Sequence, residues 1–205
     1  MGRRSLEKKR KTPTKKVNAW LAELLIKLQK EQLEHLTIDD IARLANKSKS
    51  TIYDYFESKE DILIAACQTR INVLSTLFEK QEKLQGSPVE IYKYLVESFI
   101  EGISDISISF LHQIKAHFPA AWKTINEFTD AFVELLKALY IQGIKEGFYH
   151  SISVDLLAHL DKHFVTEIVT NPSIFSNKEY TLSHLVKDYL KLRLTGLEKK
   201  GPIKS

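Results

Sequence analysis

Apolar residues recur mostly three and four positions apart along this chain of 205 residues, which is the spacing of amphipathic helices. The first stripe follows Thr12 and Pro13, and proline is favourable at a first helical position. The pattern predicts a helix over residues 13–33 whose apolar side packs against other helices. Six residues form that side: Val17, Trp20, Leu21, Leu24, Leu25 and Leu28.

The next two predicted helices are short, and a polar residue precedes each one. Thr37 can accept a hydrogen bond from a free N–H group at a helix start, with Asp40 as a first-turn carboxylate. Asn46 tolerates the left-handed backbone that ends a helix, so we expect the chain to turn there. Ser48 can then cap the second short helix.

Helical patterns fill the rest of the chain, and the predicted fold class is all-α. Only 7 glycines and 5 prolines interrupt the chain. Breaks are expected at residues 83–88, at the Asn171-Pro172 pair and at Gly196. After the first helix, the predicted helices span residues 38–45, 49–55, 58–78, 88–103, 107–117, 119–147, 154–170 and 178–195.

Positive charge is concentrated at the N-terminus. Residues 1–16 hold eight lysines and arginines and one glutamate, so they carry +7, and the rest of the chain carries −3 of the total of +4. Such a run is typical of a solvated arm that meets an acidic partner, either nucleic acid or an anionic membrane surface. An arm without a role is the alternative.

The single cysteine, Cys67, cannot form an internal disulfide bond, and no apolar run of the signal-peptide type follows the first basic residues. No segment approaches the roughly 18 uncharged apolar residues that a membrane-spanning helix needs. We therefore expect a soluble protein of the reducing cytoplasm.

The two short helices follow an apolar supporting helix, as in a helix-turn-helix. Ile52 and Phe56 give the second short helix an inner side. Its start and outer side carry hydroxyl, phenol and ammonium groups, which can bond to phosphates and base edges in a major groove. These groups belong to Lys49, Ser50, Thr51, Tyr53 and Tyr55. Short capped helices also occur in many helical proteins, so the spacing alone leaves a purely structural role open.

The stretch from Ile38 to Leu63, IDDIARLANKSKSTIYDYFESKEDIL, resembles the N-terminal signature of the tetracycline-repressor (TetR) family of bacterial transcription regulators. The resemblance implies a flexible basic arm over residues 1–13 and a three-helix, helix-turn-helix DNA-binding domain over residues 14–60. A larger helical domain for dimerisation and effector binding is implied over residues 61–205.

By the same resemblance, we expect a homodimer that binds double-stranded DNA with a palindromic operator. It is expected to be a repressor, without a cofactor or an enzymatic activity, whose operator affinity is changed by a small apolar or aromatic effector. Thr37 is implied to cap a helix that abuts a phosphate, and Lys59 to contact the DNA backbone. The full set of residues implied to lie at DNA is Thr37, Lys47, Ser48, Lys49, Ser50, Thr51, Tyr53, Tyr55 and Lys59.

Three positions depart from the family pattern. Asn46 stands where glycine is common, which its tolerance of left-handed backbone explains. Lys47 replaces a small apolar residue and can add a phosphate contact. Asp54 puts a negative charge in the recognition helix, where phosphates repel it unless it accepts from a cytosine amino group or pairs with a nearby cation.

The last two predicted helices are candidates for the dimer interface, because they carry broad apolar faces. Their apolar residues are Leu156, Leu157, Leu160, Phe164, Ile168, Leu182, Leu185, Val186, Tyr189, Leu192 and Leu197. Packing within the chain explains many of them equally well. Large side chains in the middle helices suit an effector cavity, although core packing explains each of them better. The cavity candidates are Tyr92, Phe99, Phe110, Trp122, Phe128 and Phe132, with Tyr140 beside them.

Two other interpretations of the chain were weighed. Asp155, His159, His163 and Glu167 follow one another at four-residue intervals, and paired histidines at this spacing can bind Zn²⁺, but a polar stripe explains them better and no metal is expected. Residues 8–28 combine cations with an apolar stripe, so a basic membrane-surface or partner-binding protein is the alternative function. The stripe would then be exposed rather than buried.

Overall fold

The computed structural model describes residues 10–81, 86–171 and 181–199. In these ranges the chain forms α-helices, together with one isolated bridge between Tyr149 and Glu198. The helices are α1 (Lys15–Leu28), α2 (Ile38–Leu44), α3 (Lys49–Tyr55), α4 (Lys59–Gln81), α5 (Pro88–Gly102), α6 (Ile108–His117), α7 (Pro119–Lys145), α8 (Val154–Thr170) and α9 (Leu182–Leu197). The all-α fold class is confirmed. None of these helices is both long and apolar enough to cross a bilayer.

The supporting helix α1 begins later than predicted. Thr14, not Thr12, is its cap, and the Thr14 hydroxyl accepts a hydrogen bond from the N–H of Val17 at 3.4 Å. The buried residues of α1 are the six that its stripe predicted: Val17, Trp20, Leu21, Leu24, Leu25 and Leu28.

α1 also ends earlier than predicted, at Leu28 rather than near residue 33. The side chain of Gln113 in α6 holds the following turns. It accepts a hydrogen bond from the N–H of Leu33 at 2.7 Å and donates one to the carbonyl of Glu31 at 3.1 Å. These tertiary hydrogen bonds satisfy backbone groups that a longer helix would have paired within itself.

The starts of α5 and α8 agree with the predicted spans. Ser87 and Glu90 form a reciprocal capping box at α5, and Ser153 caps α8. α9 differs, because its cap is Thr181 and Gly196 lies inside the helix. The predicted start near residue 178 and Pro172 lie outside the described residues.

The end of α9 is set by a contact with the segment after α7. The N–H of His150 donates to the carbonyl of Leu197 at 2.9 Å, and the N–H of Lys199 donates to the carbonyl of Phe148 at 2.9 Å. This short antiparallel pairing replaces helical hydrogen bonding after Leu197. The helix therefore ends there and not at Gly196.

The long helix α4 packs against α1, α5 and α7. Its first turn also caps α7, because the Glu60 carboxylate accepts a hydrogen bond from the N–H of Ala120 at 2.7 Å. One continuous cluster of buried apolar residues extends from α1 through α4 to α8 and α9. The expected domain boundary at residue 60 therefore falls in a helix that contributes to a shared core.

A buried carboxylate joins the last three helices. Asp161 of α8 accepts hydrogen bonds from the hydroxyls of Tyr140 at 2.7 Å and Tyr189 at 2.8 Å, and from Nε of Arg193 at 3.1 Å. Burial, more than any neighbouring charge, raises the pKa of Tyr140, which keeps its phenol protonated as a donor. The cluster fixes α7, α8 and α9 against one another.

Candidate nucleic-acid interface

The turn between α2 and α3 has the local chemistry that its sequence predicts. The Thr37 hydroxyl accepts a hydrogen bond from the N–H of Asp40, and the Asp40 carboxylate accepts one from the N–H of Thr37 at 2.9 Å. Hydrogen bonds from Thr37 hold the pKa of Asp40 below its usual value, since they favour the charged form. Asn46 adopts φ +52°, the left-handed conformation expected for it. Ser48 then caps α3.

α3 has a firmly anchored inner side. Ile52 is fully buried and Phe56 is 4% exposed, and the ring of Phe56 meets Trp20 of α1 edge to face with centroids 6.0 Å apart. This packing presents the start and opposite side of α3 to solvent. Lys49 and Ser50 are exposed there, next to the partly exposed Tyr53.

The predicted DNA contacts fall into an exposed and a half-buried set. Lys49 pairs with Asp39 of α2 at 2.9 Å, and that hydrogen bond raises its pKa. The phenol ring of Tyr55 packs partly against the core, beside Phe56. The exposed residues are Thr37, Ser48, Lys49 and Ser50, and the half-buried ones are Lys47, Thr51, Tyr53, Tyr55 and Lys59.

Lys59 is not placed as expected. Its ammonium group donates to the carbonyls of Leu33 at 2.8 Å, Glu34 at 2.7 Å and Leu36 at 3.0 Å, so all three protons are used inside the protein. The same group lies 5.2 Å from the ring centroid of Phe118. Partial burial lowers its pKa. In this structure Lys59 stabilises the connection between α1 and α2 instead of facing a phosphate.

The end of the basic arm is attached to the recognition helix. Lys11 pairs with the carboxylate of Asp54 at 2.7 Å, and its backbone N–H donates to the carbonyl of Asp54 at 2.9 Å. Arg10 donates to the carbonyl of Tyr53. Asp54 thus has a cation beside it, which was one of the two solutions expected for its charge. The hydrogen bond to Asp54 raises the pKa of Lys11.

An apolar cavity of about 90 Å³ lies between α1 and the C-terminal helices. Its lining residues are Leu25, Cys67, Arg70, Ile71, Leu74, Phe99, Ile103, Ile106, Phe110, Leu111, Ile125, Phe128, Thr129, Val165, Leu182 and Val186. Three of the six predicted cavity residues are among them: Phe99, Phe110 and Phe128. Burial raises the pKa of Cys67 to about 12, so the thiol behaves as a small apolar group.

The other three predicted cavity residues pack elsewhere. Phe132 stacks on Phe99, with centroids 4.4 Å apart, and lines a smaller neighbouring void. Tyr92 is buried between α5 and α9, and its hydroxyl donates to the carbonyl of Leu190 at 3.3 Å. Trp122 lies at the edge of α7 with the ammonium of Lys115 over its ring. Large side chains at helical spacing fill a core as readily as they line a cavity.

Comparison with known proteins finds similarity to bacterial regulators. A sequence model described as bacterial regulatory proteins of the tetR family matches residues 28–66, from the end of α1 into α4. The fatty acid metabolism regulator protein of Bacillus subtilis (strain 168) is 23% identical over 167 residues, which cover 80% of this chain and 86% of that protein. Residues 28–66 thus match the tetR-family model, and a full-length relative of the chain is a regulator protein.

Solved structures of tetR-family regulators share the whole fold. The fatty acid degradation regulator FadR from Bacillus halodurans has a TM-score of 0.66 at 23% identity, covering 96% of this chain and 99% of its own. FadR from Bacillus subtilis, solved in complex with stearoyl-CoA, has a TM-score of 0.61 at 20% identity, covering 87% of this chain and 98% of its own. At these identities the likeness establishes the fold.

The matched residues contain α2 and α3, the two short helices of the helix-turn-helix, and the curated relative is a regulator protein. The membrane-surface alternative required an exposed apolar stripe on α1. Leu21 and Leu24 of that stripe are instead fully buried. The stripe is core, as the helix-turn-helix interpretation predicts.

The candidate dimer residues divide between the interior and the surface of the chain. Leu157, Ile168, Leu182, Val186 and Leu197 are buried in the chain's own core, so they are unavailable to a partner. Phe164, Leu185 and Tyr189 are half-buried, and the rings of Phe164 and Tyr189 stack with centroids 3.9 Å apart. The exposed members are Leu156 at 49%, Leu160 at 43% and Leu192 at 71%.

The acidic and histidine side chains spaced four residues apart on α8 form separate pairwise contacts. Asp155 pairs with Lys137 at 2.8 Å, and Glu167 accepts a hydrogen bond from Asn171 at 2.5 Å. His159 and His163 face each other with ring centroids 4.1 Å apart. Within the described ranges, no three histidine, cysteine or acidic side chains are arranged to hold a metal ion.

Five cavity residues that precede α5 were not predicted from the sequence: Leu25, Cys67, Arg70, Ile71 and Leu74. Cys67, Arg70 and Leu74 follow the spacing of one helical side, which indicates that they point in a common direction. The sequence does not show that this side faces a cavity, because the cavity depends on how α1, α4 and α6 meet.

Proposed function

We propose that this regulator is a homodimeric repressor of the cytoplasm, without enzymatic activity, that inserts α3 into successive major grooves of a palindromic operator. The observation that carries this proposal is the arrangement of α3. Ile52 and Phe56 fix one side of it in the core, and Lys49, Ser50 and Tyr53 stand on the other side. A dimer would contact two half-sites about 34–36 Å apart.

Within this proposal, residues 14–60 form the DNA-binding domain and residues 61–205 the effector-binding and dimerisation domain. Thr37, Lys47, Ser48, Lys49, Ser50, Thr51, Tyr53 and Tyr55 contact DNA. Lys59 acts indirectly, by holding the carbonyls that precede α2. Lys11 anchors the end of the arm to α3. The basic residues before Lys11 then follow the DNA backbone or enter the minor groove.

The exposed leucines of α8 and α9 form the dimer interface in this proposal. Leu156 and Leu160 lie four positions apart on one side of α8, and Leu192 of α9 is 71% exposed. Apolar side chains exposed together on neighbouring helices are typical of a contact with a second copy.

The effector proposed for the cavity is an apolar molecule. A relative is solved with stearoyl-CoA, and the lining here is almost wholly apolar. The cavity of about 90 Å³ is well below the roughly 300 Å³ of a small ligand site, so binding requires the lining to move apart. Because Leu25 of α1 belongs to that lining, such a movement reaches the DNA-binding module and releases the operator.

The test compares two exposed, ion-paired lysines on DNA selected from bacterial genomic fragments. Lys49→Ala should weaken operator binding and reduce the salt dependence of the affinity by about one phosphate contact. Lys123→Ala, on α7 and paired with Glu127 at 3.7 Å, should leave both unchanged. Equal binding by the wild type and Lys49→Ala, measured by fluorescence anisotropy over a range of salt concentrations, would contradict the proposed DNA face.

A further inference from the structure

Arg70 is the charged residue among those that line the apolar cavity. Its Nη1 donates to the carbonyl of Gly102 at 3.1 Å, and its Nη2 bonds to the carboxylate of Asp105 at 2.5 Å. The side chains of Arg70 and Asp105 are 25% and 33% exposed, so the pair lies where the cavity meets solvent. The guanidinium therefore reaches both the apolar lining and the outside.

From this arrangement we propose that the cavity binds an apolar monocarboxylate, whose carboxylate takes the place of Asp105 on Arg70. The proposal rests on the proposed function, because it names the ligand class of the same cavity. A guanidinium donates strong hydrogen bonds to carboxylates, and the hydrogen bond from Nη2 of Arg70 to Asp105 already shows that a carboxylate can bind at this face. The apolar body would follow the lining formed by Leu74, Phe99 and Phe128.

The charge of the site selects against other head groups. A neutral alcohol that displaced Asp105 would leave the guanidinium without an anionic partner, and an amine would add a second cation. A ligand that left Asp105 in place would have no charged group to orient it. Because the lining otherwise offers only the Thr129 hydroxyl and the Cys67 thiol as polar groups, Arg70 is the group that sets orientation.

Displacing Asp105 also affects the segment that connects α5 with α6. Ile103 and Ile106 of this segment line the cavity, and Ser107 at its end donates its N–H to Oε1 of Gln29 at 2.6 Å. Gln29 is the C-cap residue of α1. Exchange of one carboxylate for another at Arg70 thus frees a segment that is bonded directly to the DNA-binding module.

The test uses the full chain and three probes of equal chain length: octanoate, octanol and octylamine, titrated by calorimetry. In the wild type, octanoate should bind at least about tenfold more tightly than octanol, as expected for a charged hydrogen bond, and octylamine should bind most weakly. Arg70→Gln should remove the preference for octanoate. Asp105→Asn should strengthen octanoate binding several-fold and leave octanol unchanged, because the competing carboxylate is gone.

Equal affinity for octanoate and octanol in the wild type, or an unchanged preference in Arg70→Gln, would overturn the proposal. If Arg70→Gln does not fold, the comparison of octanoate with octanol in Asp105→Asn still decides, since an exchange at Arg70 predicts that octanoate binding strengthens and octanol binding does not change. Operator binding without a probe is measured in parallel. If the wild type binds stearoyl-CoA but not octanoate, the carboxylate proposal alone is overturned. If the wild type does not bind the operator at all, the proposed function is overturned.

Discussion

At the scale of single residues, Lys59 shows how one side chain can hold the connection between two helices. The connection between α1 and α2 leaves the carbonyls of Leu33, Glu34 and Leu36 without helical partners, and one ammonium group binds all three. The ring of Phe118 covers the same ammonium group. A cation with three donors is suited to this position, because several carbonyl dipoles converge on it.

Replacing Lys59 by methionine keeps the length of the side chain and removes the donors. We expect Lys59→Met to lower the free energy of unfolding by about 1–3 kcal/mol, because three backbone carbonyls lose their partner. Lys123→Met, at a lysine whose side chain is 76% exposed, should change it by less than about 0.5 kcal/mol. Urea unfolding followed by circular dichroism measures both, and equal stability of the two variants would refute the structural role of Lys59.

Cys67 gives a second prediction at this scale. With 5% exposure and a pKa of about 12, only about one thiol in ten thousand is ionised near pH 8. Labelling by a disulfide reagent should therefore be slow in the folded protein and complete within seconds in urea. Labelling at the rate of a free peptide thiol under native conditions would show that the cavity side of α4 is open.

Residue identities predicted backbone conformation better than side-chain partners. Asn46 was expected to adopt a left-handed conformation, and it does so with φ +52°. Local preference suffices there, because the cost of positive φ depends on the residue itself. The partners of Lys59 and Asp54 lie 23 or more residues away in sequence, so no local pattern reports them.

At the scale of elements, helix starts were more predictable than helix ends. The caps at Thr37 and Ser48 and the starts of α5 and α8 were predicted from the sequence, because a capping side chain acts within its own turn. The ends of α1 and α9 are set by Gln113 and by the pairing of residues near Tyr149, which are distant in sequence.

The attachment of the arm to α3 leads to a prediction for operator binding. Lys11→Ala should weaken binding by about fivefold, because Asp54 then meets the phosphates with one cation fewer beside it. The double variant Lys11→Ala/Asp54→Asn should recover most of that loss. Anisotropy titrations of the wild type, both single variants and the double variant measure the coupling, and strictly additive effects would contradict the role of the pair.

At the scale of the whole molecule, a continuous core connects the DNA-binding module to the rest. α4 packs on α1 and on α7, Glu60 caps α7, and Leu25 of α1 lines the cavity. The cavity lining and α1 therefore belong to one packed core. The sequence predicted an all-α fold and both modules, but it could not show that they share a core, since the shared contacts join distant segments.

The exposed leucines give a prediction for assembly. Leu160→Glu should raise the dissociation constant of the dimer by at least about tenfold and weaken operator binding in parallel, because a charge would be placed between two apolar faces. Val73→Glu, at a residue of α4 that is 56% exposed, is the matched control and should remain dimeric. Sedimentation equilibrium distinguishes the two. A dimeric Leu160→Glu variant would exclude this face of α8.

The most direct test of the account is a nuclease footprint on DNA fragments selected with the full chain. Insertion of α3 from each protomer into successive major grooves predicts two protected tracts related by symmetry, with centres about one helical turn apart. Both tracts should be lost with Tyr53→Ala while that variant remains folded and dimeric. Protection without symmetry, or the same protection with Tyr53→Ala, would contradict the placement of α3 in the major groove.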